Sequence, residues 1–173
     1  LMAMVSSIAT AAFADTYDLN TGSVTVETRD DGITYVTQKD AEINEHPDTT
    51  GVTITSNGTQ TSNTITVNTA DNQTTNVTLE NVHIESSSIW SSDPAPIEIK
   101  GKGDTNLELN GDNIVLSGNS EHAGIEKADK YGHGTLTIKD DVNDDGKLLA
   151  GGFNNSAGIG GGGTGDTANT SNI

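Results

Sequence analysis

From Val52 onward, aliphatic residues come in pairs with one residue between them. They run Val52/Ile54, Ile65/Val67, Val77/Leu79, Val82/Ile84, Ile97/Ile99, Leu107/Leu109, Ile114/Leu116 and Leu136/Ile138, with Leu148-Leu149 beyond. Period-2 spacing of this kind predicts short strands with one buried face. The Asn, Gly, Asp and Ser clusters between the pairs predict tight turns. The pairs are themselves periodic: Asn76-Val77-Thr78-Leu79, Asn106-Leu107-Glu108-Leu109 and Thr135-Leu136-Thr137-Ile138 recur about every thirty residues, which marks a stacked array. Ala123-Gly124-Ile125 and Ala157-Gly158-Ile159 return at one phase of that repeat. One coil then runs Val77/Leu79, Val82/Ile84, Ile97/Ile99. The next runs Leu107/Leu109, Ile114/Leu116, Ile125, and a third runs Leu136/Ile138, Leu148-Leu149, Ile159. The expected fold is all-β, a parallel β-helix of about three short strands per coil. A β-sandwich of similar strands leaves the returning Ala-Gly-Ile turn unexplained.

The stretch before Val52 is less regular. Val24-Thr25-Val26, the turn Asp30-Asp31-Gly32 and Ile33-Thr34-Tyr35-Val36 predict a hairpin or an irregular first coil. Gln38 to Thr50 is polar, contains Pro47 and reads as a connecting loop, with a short helix around Asp40–Ile43. Leu1 to Ala14 is apolar and small, ends Ala12-Phe13-Ala14 and lacks a charged start, so it reads as a truncated secretory signal peptide. The expected organisation is a signal peptide over 1–14, an irregular or capping coil over 15–50, and β-helix coils over 51–173. Thr170-Ser171-Asn172-Ile173 resembles the opening of one more strand, so the coils are expected to continue in a longer chain.

Composition narrows the function. The formal charge is −17, from 25 acidic against 8 basic side chains. Nucleic acid is excluded as a partner, because phosphate neutralisation needs a Lys/Arg surface. The absence of cysteine leaves no disulfide framework and fits export. After the leader no segment is apolar enough to span a membrane. Disorder, the other fate of acidic chains, does not fit the strand-like alternation.

The sharpest chemical motif is Asp141-Val142-Asn143-Asp144-Asp145-Gly146. It spells the first half of a calcium loop, in which alternate oxygen side chains face one ion and Gly allows the bend. Asp140, Asp141, Asn143 and Asp145 are the candidate Ca2+ ligands. Position twelve of such a loop is Gly152 rather than Glu, so this is no EF-hand, and a solvated acidic turn is the plain alternative. Trp90, the single tryptophan, sits in a Ser-rich excursion, where it either stacks on a sugar ring or folds back over the core. Tyr131 is a second stacking candidate. Gly132-His133-Gly134 with Asp140-Asp141 invites comparison with polygalacturonases. In that family, however, paired aspartates precede the Gly-His-Gly segment and a basic motif with Arg follows it. The one arginine here is Arg29.

Asp15-Thr16-Tyr17-Asp18-Leu19, Asn63-Thr64-Ile65-Thr66-Val67, the run from Val77 to Ile84, and Ser156-Ala157-Gly158-Ile159-Gly160-Gly161-Gly162 carry a resemblance. The chain resembles exported surface proteins of Firmicutes-type bacteria that form a right-handed β-helix and are described as carbohydrate-binding-domain proteins. That resemblance covers most of residues 15–173. It implies an extracellular polysaccharide-binding or adhesive module, often with bound calcium, and transfers no binding residue. The expectation is a secreted or cell-surface, non-catalytic monomeric module whose partner is a polysaccharide or cell-wall glycan. A polysaccharide lyase or hydrolase and a purely structural stalk are the rivals.

Overall fold

The computed structural model describes residues 15–86, 94–127 and 134–162. Leu1 to Ala14, Trp90, Tyr131, His133 and the stretch from Thr170 lie outside the described residues. The chain winds as a parallel β-helix with three walls. The first wall stacks β1 (Asp15–Asp18), β5 (Val52–Thr55), β8 (Thr74–Glu80), β11 (Asp104–Asn110) and β14 (Leu136–Lys139) in that order. The second stacks β6 (Gln60–Thr61), β9 (His83–Ser86), β12 (Asp112–Ser117) and β15 (Lys147–Gly151). The third contains β2 (Val24–Thr28), β7 (Ile65–Thr69), β10 (Ile97–Gly101), β13 (Ile125–Lys127) and β16 (Ile159–Gly160). Each complete coil visits the walls in that sequence. In the first coil a 3-10 turn at Leu19–Thr21 replaces the second-wall strand.

The paired aliphatics become ladders because every rung stacks in register. Val52, Val77, Leu107 and Ile138 form one inward row, and Tyr17, Ile54, Leu79 and Leu109 the next. On the third wall Val24, Ile65, Ile97, Ile125 and Ile159 align. Most of these side chains are fully buried, each stabilising the fold by about 1.5–3 kcal/mol. The two Ala-Gly-Ile turns stack at the corner between the second and third walls. There Ile125 N donates to Gly158 O at 2.9 Å and Ile97 N to Gly124 O at 3.1 Å. At the corner between the third and first walls the core is polar. Thr75 Oγ1 bonds Thr28 Oγ1 at 2.6 Å and Thr69 Oγ1 at 2.7 Å, and Thr69 reaches Thr105 at 3.2 Å, so these buried hydroxyls satisfy one another.

Expectations are corrected at several points. Leu136 does not stack on Leu107: it lies level with Thr105, and Ile138 stacks on Leu107. Ile114 and Leu116 do not face the core; Val115 does, stacked on Ile84. Three consecutive apolar residues leave the face undecided, and Asn113 decides it. Its buried side chain accepts from Val82 N at 3.0 Å and donates to the carbonyls of Asn110 and Gly111. Gln38 to Thr50 is not merely a loop: it holds β4 (Ile43–Asp48), and the helical piece is a single 3-10 turn at Lys39–Ala41. The hairpin expected around Asp30-Asp31-Gly32 is present, with β3 (Thr34–Gln38) antiparallel to β2. β3 and β4 extend the third wall beyond the first coil and cover that end of the core with Val36 and Gln38. Antiparallel capping removes a parallel strand edge from solvent. Residues 15–28 are themselves in the helix, since β1 and β2 pair in parallel with β5 and β7.

Candidate functional site

The acidic loop joins β14 to β15 and is closed by contacts to the coil beneath. Glu108 Oε1 accepts from Asp141 N and Val142 N at 2.6 and 3.0 Å. Asp141 pairs with Lys139 at 2.8 Å, and the hydrogen bond from that carboxylate holds the lysine pKa above its ordinary value. Asp145 Oδ1 accepts from Gly111 N at 3.4 Å. Asp140 Oδ2 accepts from Gly146 N at 2.8 Å, while its Oδ1 is buried with no hydrogen-bond partner. Asn143 is exposed. The four expected ligands are therefore on one loop, but Asp141 is turned to an ammonium. Among the described residues no three His, Asp or Glu side chains come together as a metal cage.

The outer face of the first wall presents rows of hydroxyl and amide groups. Thr16, Thr53, Thr78, Glu108 and Lys139 align in one row, and Asn76, Asn106 and Thr137 in the row beside it. Asn106 Nδ2 donates to Asn76 Oδ1 at 2.9 Å across the rungs. Asn110 Nδ2 donates to Glu80 Oε2 at 3.1 Å in the third row. The aliphatic echo already contained the Asn76/Asn106 repeat, but only the register makes it a ladder.

The outer face of the third wall carries acids that sequence reasoning missed. Glu98 and Glu126 occupy adjacent rungs, their side chains only 10% and 3% exposed. Lys100 pairs with Glu98 at 2.9 Å; His122 Nδ1 lies 2.9 Å from Glu126 Oε2, which also accepts from Ala123 N. The second wall is mixed. His83 pairs with Glu85 at 2.8 Å, and the row then turns aliphatic through Ile114 and the exposed Leu149.

Comparison of the chain with protein-family models, curated proteins and solved structures finds no match. Its function must be read from its own surfaces.

Under the hairpin cap lies a cavity of about 460 Å³ lined by Asp15, Thr16, Tyr17, Glu42, Asn44 and His46, with Ile43 beside them. His46 Nε2 is 3.0 Å from Asp15 Oδ2 at its rim. Tyr17 is 3% exposed. Burial first, and then the neighbouring charges of Asp48 and Asp15, push its phenol well above the ordinary tyrosine range. Asp48 Oδ1 accepts from Thr50 N and Gly51 N at 2.9 and 3.0 Å, which holds the turn into β5. These groups tie the cap to the first coil.

Proposed function

We propose that this protein is an exported, non-catalytic module that binds polysaccharide on the wall of its β-helix. The observation that carries this reading is the in-register ladder of Asn and Thr on the outer face of the first wall. A solenoid repeats any outward side chain at the strand spacing of about 4.8 Å, so weak hydrogen bonds to successive sugars add into useful affinity. The leader-like residues 1–14 and the charge of −17 support exposure at a cell surface.

A hydrolytic reading needs two accessible carboxylates. Glu98 and Glu126 stand on adjacent rungs, but both are buried and each is held by a neighbouring cation or imidazole. That pairing supports a structural role for them. Calcium belongs to the proposal as a stabiliser of the Asp140–Gly146 loop, supported by the orphaned Asp140 Oδ1.

A polysaccharide array probed with the purified chain, once with calcium and once with EDTA, tests the reading. Retention on at least one glycan without release of reducing ends is expected, together with a higher melting temperature in calcium. Silence across the array would leave a structural stalk as the function. Product release would make the protein an enzyme, and an unchanged melt would remove calcium from the account.

A further inference from the structure

We propose that the binding surface is the outer face of the first wall, and that its ligand is a neutral, extended β-linked polysaccharide lying along the axis of the helix. This rests on the glycan-binding reading and adds the class of its ligand and the direction in which that ligand lies.

The chain carries −17 overall. Yet on this wall one row runs Thr16, Thr53, Thr78 and then the oppositely charged Glu108 and Lys139, and the next runs Asn76, Asn106 and Thr137, so the formal charges of these rows cancel. The acids on this face are engaged: Glu80 in the third row accepts from Asn110, and Glu108 accepts two backbone amides and faces Lys139 at 3.6 Å. An anionic polymer would meet Glu80, Glu108 and the field of the whole chain without a basic surface to receive it. A neutral polyol meets no such barrier.

Geometry supplies the direction. Along each row a hydrogen-bonding group recurs every ~4.8 Å, close to the advance of one pyranose in an extended β-linked chain. The two rows stand about 6.6 Å apart, two residues along the strand, and over β8, β11 and β14 they flank a single polymer. The Asn106–Asn76 bond restrains both amides before any ligand arrives, which lowers the rotamer entropy lost on binding. Among the described residues the corresponding row turns apolar at Ile114 and Leu149 on the second wall, and on the third it sets two carboxylates, Glu98 and Glu126, on adjacent rungs where the first wall sets Glu108 against Lys139.

The test is titration of the full chain with xylo-, cello- and manno-oligosaccharide hexamers and with polygalacturonate. It is repeated on Asn76→Ala/Asn106→Ala and on Thr66→Ala, which lies in an outward row of the third wall. A neutral hexamer should bind, its affinity falling about tenfold or more in the double variant at unchanged melting temperature and holding in Thr66→Ala. Should the double variant melt lower, Thr78→Ala takes its place. Neutral binding that ignores the first-wall variants, or a preference for polygalacturonate, overturns this assignment while leaving glycan binding intact. No binding to any glycan overturns both.

Discussion

Gly103→Ala is expected to lower the melting temperature by roughly 10 °C, equivalent to about 3 kcal/mol for a chain of this size. Gly103 lies at the corner where the third wall turns into the first. A Cβ built there would overlap the carbonyl oxygen of Ala70 and crowd the Thr69 side chain and the Gln73 carbonyl. One rung on, a Cβ at Gly134 would overlap the Gly103 carbonyl. The obstacles are mostly backbone, which cannot swing aside as a flexible side chain does. Relief requires neighbouring coils to separate, and separation lengthens the hydrogen bonds that Asp104 N and Thr105 N send to Gln73 O and Thr135 O. Because each coil is stabilised chiefly by its neighbours, a fault at one corner weakens the coils on both sides. Differential scanning calorimetry measures the shift; a melt indistinguishable from the parent would mean that the corner is looser than described.

Leu107→Ala should cost about 2–5 kcal/mol, the range for removing a fully buried leucine. Leu107 has no exposure and stands between Val77 below and Ile138 above in one inward row. Both neighbours are fixed by backbone pairing, so the row does not collapse into the space left behind. Ile159→Ala is the internal contrast. Ile159 continues the row of Ile125 but is 36% exposed, and its loss should cost well under half as much. Chemical denaturation of the two variants reads the difference directly; equal losses would contradict the difference in burial between the two positions.

Much of the scaffold was legible in the chain because a stacked coil repeats its own chemistry. Val77 and Leu107 announced the first wall, although Leu136 stands two residues out of that phase, level with Thr105; the shared phase of Ala123-Gly124-Ile125 and Ala157-Gly158-Ile159 marked a corner. What failed did so where local pattern was ambiguous or where the partner came from another coil. Ile114-Val115-Leu116 fits either face, and the choice depends on the side-chain amide of Asn113. His46 and Pro47 hid β4, which pairs as an edge strand where proline is tolerated. The acidic loop spells a calcium pattern, but nothing local to it shows that Glu108, a coil away, takes two of its amides. Burial of Glu98 and Glu126 was equally invisible, since outward positions on a strand read as solvent-facing.

The central claim is that Thr53 and Thr78 are side by side because each coil lies directly on the last. The chain contains no cysteine, so an engineered pair reports without interference. Thr53→Cys with Thr78→Cys joins in-register neighbours whose Cα atoms are about 4.8 Å apart, within disulfide reach. Thr53→Cys with Glu108→Cys spans two rungs, about 9.6 Å, and is beyond it. Thiol titration of dilute monomer after mild oxidation should find no free thiols in the first variant and two in the second. Free thiols in the first, or a bridge in the second, would contradict the stacked-coil register.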